Sequence, residues 1–473
     1  MTRNTPVVQN DGRVTPRLIA MALTAALGGF LFGYDSAIIN GTVDAVREQF
    51  SLSSVMLGFT VSCALLGAAL GAWFAGVCSQ RFGRVRTMLV ASVLLAASAL
   101  GCGLAFGVWD LIWWRLIGGI GVGFASVIAP AYIAEIAPSK QRGRLATLQQ
   151  LALVIGIFLA FLISAMIAWL AGGASQSAWL GLEAWRWMFL SGLVPAVVYG
   201  ILASRLPESP RYLVEKNDDE GARQVLINMV GMTPGESTEN KIAEIRATVN
   251  LERRQRFADL FGGKFGFKKL VWIGILLSIF QQLVGINVIF YYSTTMWKSV
   301  GFQESDSFMI SVITSVTNIV ATIVAISLVD VLGRKLLLLI GSGMMTLSLG
   351  TMAVAFAQSV TVNGEVSLPG SWGMIALIAA NLFVIGFGAS WGPVVWVLLG
   401  EMFPNNIRAL ALGIGAAAQW IANFVVSTTF PTLADLGLQL AYGIYAGFAL
   451  LSFLFVWRMV RETNGRQLED MTL

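Results

Sequence analysis

The sequence of 473 residues contains no histidine, and only 12% of its residues are charged. The first absence removes the commonest zinc ligand and the usual proton shuttle together. The second excludes an ordinary soluble domain, in which about a quarter of residues carry charge. Three cysteines, Cys63, Cys78 and Cys102, lie in or beside apolar runs and offer neither a disulfide framework nor metal-ligand spacing. No metal and no cofactor are expected. The apolar run after the polar N-terminus shows no small-residue cleavage site, so it reads as a retained helix.

What is present is apolar: 56% of the residues are hydrophobic. Runs long enough to cross a bilayer as helices fall at 17–40, 55–78, 87–107, 110–134, 145–171 and 186–206, and again at 269–297, 307–329, 336–358, 372–400, 409–431 and 438–460. A polar stretch, 207–268, separates the two sets. The expected fold is therefore an all-α membrane protein of twelve transmembrane helices. Residues 1–206 and 269–473 form its two six-helix halves, and 207–268 a cytoplasmic insert with helical patches at Glu220–Met229 and Lys241–Arg254. That insert reads equally as a gate element or as a solvated linker.

Loop charge sets the orientation. With both termini in the cytoplasm, 27 of the 31 Lys and Arg residues are cytoplasmic; Arg47, Arg186 and Lys298 lie outside and Arg115 within a helix. This bias also accounts for the net charge of +5 without a nucleic-acid partner. The halves are related. Glu135-x-x-Pro138-x-x-x-Arg142 recurs as Glu401-x-x-Pro404-x-x-x-Arg408, and Gly83-Arg84 as Gly333-Arg334. Paired halves point to a rocking carrier with its site between them. A channel or an intramembrane enzyme needs no such pairing, and with no histidine and one deep carboxylate no hydrolytic site is visible.

The chemistry centres on Phe280–Tyr292, FQQLVGINVIFYY, inside a spanning run. Gln281, Gln282 and Asn287 cannot face lipid without an unpaired polar cost, so they face another helix or a wet cavity. Amides donate and accept without charge, which suits a neutral, hydroxyl-rich ligand. Gln150 has Ile157 seven residues on, along the same face. Asn287 is followed by Phe290 and Tyr291, Gln419 by Asn423 with Trp420 beside it, and Asn318 sits midway along the eighth run. Trp391 and Trp396 bracket Pro393, which breaks the helix ladder. For any one amide taken alone, hydrogen bonding between helices is the favoured role over ligand binding. Gly118-Gly119-Ile120-Gly121-Val122-Gly123 imitates a nucleotide-binding loop, but it lies in an apolar span with no preceding strand. Close helix packing explains it, as it does Gly67-x-x-x-Gly71.

On five ordered pieces the chain resembles the sugar porter family of the major facilitator superfamily over nearly its whole length. They are Gly28-Gly29-Phe30-Leu31-Phe32-Gly33-Tyr34-Asp35, the Glu135 to Arg144 stretch, Pro207-Glu208-Ser209-Pro210-Arg211, the FQQ…GIN stretch and Gly333-Arg334-Lys335. The nearest likeness is to bacterial proton-coupled glucose and xylose permeases. Two positions depart from the family pattern at the cytoplasmic face: Gln80, where many members carry aspartate, and Arg461, where proline is usual.

The resemblance implies sugar contacts by Gln150, Gln281, Gln282, Asn287 and Gln419, with Ile157, Asn318, Trp391 and Trp420 completing the pocket. It gives Phe32, Tyr291 and Trp396 gate or wall roles. Arg84, Glu135, Arg142, Glu208, Arg334, Glu401 and Arg408 are expected to form a cytoplasmic latch for the outward-facing state; charge that merely sets topology is the alternative. Asp35 is the one carboxylate deep in a span and Arg115 the one basic residue there. Such groups are costly and usually functional. Apolar surroundings favour the neutral acid and a nearby guanidinium favours the carboxylate, so parting the pair would capture a proton. A static ion pair is the alternative, and the resemblance supports coupling.

The expectation is a sugar/proton symporter of the cell membrane, multi-pass and monomeric, whose partners are a monosaccharide, a proton and the lipid bilayer. The resemblance implies glucose, since glucose carriers of the family tend to be apolar at the positions of Ile157 and Phe290. A xylose or broad hexose symporter and an uncoupled carrier are the alternatives of the same class. A sugar sensor would need a long cytoplasmic tail, and the chain runs only about a dozen residues past the last helix.

Overall fold

Hydrocarbon offers no partner for a backbone amide, so each apolar run closes its hydrogen bonds on itself as a helix. The computed structural model describes residues 15–138, 142–232, 234–252, 257–263, 266–362, 365–404 and 407–463. Within them, spans 1 to 6 are Pro16–Gly41, Ser54–Phe82, Arg84–Gly103, Val108–Ile136, Thr147–Ala171 and Ala184–Ala203. Spans 7 to 12 are Lys269–Tyr291, Glu304–Val329, Arg334–Ala357, Trp372–Met402, Leu410–Leu436 and Leu438–Met459. Between the sets lie the insert helices Pro210–Glu215, Asp219–Asn228 and Glu236–Glu252. These gather around a small core of Val214, Ala222, Leu226 and Ile242. Thr15 and Arg17 bond to the carbonyls of Met229 and Asn228, tying the insert to the start of span 1. The insert helices mark one side of the bundle, the insert side.

Glycine sets how closely the helices approach. A Cβ at Gly67 or Gly71 would lie 2.2 Å from the carbonyl oxygen of Leu116 or Ile120, and one at Gly119 or Gly123 would strike span 2 in return. The glycine-rich run is therefore a packing surface inside span 4, as its sequence context predicts.

Two spans of the second half are interrupted where the sequence demands it. Span 7 breaks at Gly285, whose φ of +81° is a left-handed conformation costly for any other residue; Tyr445 fills the space where a side chain would sit. Span 10 forms a π-helical turn at Phe387–Trp391 ahead of Pro393, which cannot donate into a regular ladder.

The halves meet through spans 2 and 11 and through spans 5 and 8. Polar contacts between them run along the side opposite the insert. Asn40 bonds Ser311 and both the amide and hydroxyl of Thr294. Asp44 bonds Thr295 at 2.8 Å and Lys298 at 2.9 Å. Ser62 meets Thr428 at 2.6 Å, Ser54 bonds Asp435, and Glu304 accepts from the Ala174 amide.

Candidate functional site

Spans 7 and 11 run in the same direction and pack together, with Ser278 Oγ 3.3 Å from a Cβ built on Gly415. Gln282 and Gln419 each lie four residues further on, one turn along and at matching depth. Gln282 is buried, and its Oε1 accepts a 2.6 Å bond from Asn287 Nδ2 across the Gly285 break. Gln281 donates from Nε2 to the carbonyls of Trp391 and Gly392 at 2.8 and 3.2 Å, which ties span 7 to the irregular turn of span 10. The Oε1 atoms of Gln281 and Gln419 are buried and have no partner. A buried acceptor left unpaired is costly, and hydroxyl donors from a ligand would satisfy both.

The other expected pocket residues lie on further spans. Gln150 is half-buried on span 5. Ile157 is buried, one turn before Phe161, whose ring contacts Phe290 across the halves at 6.3 Å. Asn318 is buried with its Oδ1 3.0 Å from a Cβ built on Gly388, so it faces the irregular turn of span 10. The rings of Phe32 and Trp420 meet across the halves, tilted by 44° with centroids 5.6 Å apart. Trp391 is not brought into the group. It is fully buried, and its indole N–H is spent on the Leu338 carbonyl and the Ser342 hydroxyl of span 9. Trp396, five residues on, is 42% exposed.

Asp35 and Arg115 line one cavity at the meeting of the halves, together with Ser36, Tyr291 and Trp420. No ion pair joins them among the described residues. Arg115 is 4% exposed, donates from Nη2 to the Val61 carbonyl at 3.0 Å, and leaves Nε unpartnered. Tyr291 of span 7 is buried and lines this cavity beside Ser36 of span 1, where the halves meet. Ser36 had no signal in the sequence beyond its place next to Asp35.

On the insert side each half carries one charged cluster, and the two match. Arg84 Nε and Nη2 reach Glu135 at 3.0 and 2.9 Å; Arg334 Nε and Nη2 reach Glu401 at 3.1 and 2.8 Å. Glu208 accepts from the Arg84 and Val85 amides, and Glu462 from the Arg334 and Lys335 amides. Gly83 and Gly333 have no side chain to cap spans 3 and 9, so a carboxylate from elsewhere serves the first-turn amides. Ser209 and Thr463 complete the sets by bonding Glu135 and Glu401. Glu462 and Thr463 thus repeat Glu208-Ser209, a pairing readable as an acidic residue before a hydroxyl after the last span of each half. Arg408 donates to the Phe403 carbonyl, and its Nη2 is buried without a partner. The side chain of Arg142 lies outside the described residues.

The family model described as "Sugar (and other) transporter" matches residues 21–473. The chain is 54% identical to a glucose transport protein of Synechocystis sp. over 449 residues, covering 94% of this chain and 95% of that one. It is 37% identical to the D-xylose-proton symporter of Escherichia coli K12 over 490 residues, covering 96% and 95%. Among solved structures, the partially occluded inward open xylose transporter XylE of E. coli superimposes with a TM-score of 0.83 at 35% identity, covering 96% of this chain and all of that one. XylE bound to 6-bromo-6-deoxy-D-glucose gives 0.78 at 36% identity, covering 96% and 98%. Twelve spans in two related halves, interrupted where amides gather, and these matches over almost the full length lead to one assignment: the chain belongs to the sugar porter family of the major facilitator superfamily, a membrane transporter of sugars and not an enzyme.

Proposed function

We propose that this transporter imports glucose together with a proton across the cytoplasmic membrane, by rocking units 1–206 and 269–473 about the site between them. The excess of Lys and Arg in the loops of the insert side supports a cytoplasmic insert and cytoplasmic termini. The zipped opposite side is then external, and the arrangement is that of a carrier facing inward. Residues 207–268 act as a gate element between the units. When the insert side closes, the Arg84–Glu135 and Arg334–Glu401 clusters, with Arg142, Glu208 and Arg408, latch it; the unpartnered Nη2 of Arg408 is the donor available to that arrangement.

The observation that carries coupling is the shared cavity of Asp35, Arg115, Tyr291 and Trp420. A carboxylate there is held by the guanidinium, whereas the neutral acid is free to move within apolar surroundings. Protonation of Asp35 therefore permits the rocking step, and return of the carboxylate to Arg115 releases the proton. Sugar hydroxyls bond Gln282, Asn287, Gln150 and the acceptors of Gln281 and Gln419, while the Trp420 ring covers an apolar sugar face.

Glucose follows from the 54% identical glucose transport protein and from apolar Ile157 and Phe290. A pentose symporter is the second reading, favoured by the 37% identical D-xylose-proton symporter. Uptake of radiolabelled glucose into vesicles under an imposed pH gradient, with xylose and galactose as competitors, tests both. Gradient-driven uptake displaced best by glucose is expected. Indifference to the gradient contradicts symport, and stronger displacement by xylose favours the pentose reading.

A further inference from the structure

Asp35 borders two cavities. Besides the one between the halves, it lines a second, enclosed by spans 1, 3 and 6 within the first half, together with Tyr34, Ile38, Ser98, Ala99, Phe189 and Gly192. We infer that this second cavity is the route by which a proton reaches Asp35 from the side opposite the insert, separate from the path of the sugar. The inference rests on the reading that Asp35 couples protons.

Asp35 stands six residues before the end of span 1 at Gly41, about 9 Å from the opposite side. Along the boundary between the halves that short distance is blocked by the Asn40–Thr294 and Ser62–Thr428 contacts and by Tyr291. Behind span 1 the residues that line the second cavity all belong to the first half. A Cβ built on Gly118 would lie 2.3 Å from Ser98 Oγ and 3.7 Å from Asp35 Oδ1, so hydroxyl and carboxylate border the same point on span 4. Such a spacing suits a bridging water, and the cavity has room for one with polar partners on its wall. Tyr34 adds a second hydroxyl, hydrogen-bonded to Ser191 at 2.6 Å.

The end of the cavity toward the opposite side is apolar. Ile38 and Phe189, both buried, occupy it. An apolar plug there keeps the route shut in the present arrangement. A route open at both ends would leak protons without moving sugar. Tilting of span 1 as the halves rock would part Ile38 from Phe189 and admit the proton, which passes through water to the Asp35 carboxylate and leaves it neutral. The other titratable groups around Asp35 are Arg115 of span 4, Cys63 of span 2, Cys102 of span 3, Tyr34 of span 1 and Tyr291 of span 7. None of them changes charge in this scheme.

Gly192 provides the test. A Cβ there would meet Ala99 at 3.6 Å and Tyr34 at 3.7 Å across the cavity, with the Phe189 carbonyl oxygen at 3.2 Å as its one tight neighbour, and the residue has a helical φ. Gly192→Ala and Gly192→Val therefore fill the space without touching the sugar amides. The full chain is reconstituted in liposomes with Asp35→Asn in parallel, and both gradient-driven accumulation and counterflow of labelled glucose are measured. Gly192→Val is expected to lose accumulation at least ~10-fold and Gly192→Ala less, with counterflow within about twofold of wild type. Should Gly192→Val fail to fold, Ala99→Val fills the cavity from span 3 and is expected to behave alike. Full accumulation with the cavity filled and Asp35→Asn uncoupled overturns the route but leaves the Asp35 assignment standing. Parallel loss of counterflow overturns it too, as a packing effect. Accumulation surviving in Asp35→Asn overturns both.

Discussion

Across the break in span 7, the amide of Asn287 donates to the amide oxygen of Gln282 at 2.6 Å. The bond spans the left-handed Gly285, so each residue holds the other at the angle the interruption creates. It also leaves the remaining polar atoms of both amides available to sugar hydroxyls.

Gln282→Ala and Asn287→Ala are accordingly expected to weaken sugar binding by about 1–3 kcal/mol each, roughly five- to 150-fold, in protein that still folds and inserts. Because the two amides are bonded to one another, the double variant should cost less than the sum of the singles. Tryptophan fluorescence or calorimetry checks this. Affinities within twofold of wild type for both singles would remove these residues from the site.

Ile157 bears on selectivity. It lies one turn from the Phe161–Phe290 contact that brings span 5 to span 7, and the proposed glucose reading sets it against the sugar's hydroxymethyl end, where a polar side chain would intrude. Ile157→Gln should weaken glucose relative to xylose by up to about 1–3 kcal/mol. Competition assays read the ratio directly, and an unchanged ratio would place selectivity elsewhere.

Lys298 and Asp44 join the halves on the side opposite the insert, outside the spans. Burial alone would depress Lys298, but Asp44, with Glu304 and Glu48 behind it, outweighs that and raises it above the usual lysine range. An upward shift means the lysine's contribution is complete below about pH 10.4, its ordinary value, and fades only as pH climbs through the raised one. Lys298→Met should shift the balance toward the state open on that side by a few-fold at most, since partly exposed pairs contribute about 0.2–1 kcal/mol. On the lysine's account the effect should be equal at about pH 7 and 9. Spin-label distances across that side measure it; a distribution identical to wild type would show the pair is incidental.

Much of this is legible in the sequence, for reasons that differ by element. The spans announce themselves because lipid requires long apolar helices, and Gly285 announces the break because it interrupts an apolar run between amides. Arg84 and Glu135 are legible through their repeat at Arg334 and Glu401. Trp391 is not. The π-helical turn at Phe387–Trp391 inserts an extra residue per turn, so helical periodicity carried from the first part of span 10 cannot say which of Trp391 and Trp396 turns inward. The contacts of Asn40, Thr294 and Asp44 are equally unreadable, because they join segments of opposite halves more than 250 residues apart that no local pattern pairs. Glu462 escaped since its repeat of Glu208 is only two residues long.

The central claim, that sugar entry is coupled to a proton through Asp35, is tested most directly by Asp35→Asn. The amide keeps the size and hydrogen bonding of the carboxyl but cannot ionise. One co-transported charge at 100 mV contributes about 2.3 kcal/mol, enough for roughly fifty-fold accumulation. The variant should lose that accumulation in vesicles while keeping sugar binding and counterflow, which needs alternating access and no net proton movement. An Asp35→Asn protein that still concentrates glucose against its gradient would contradict the account.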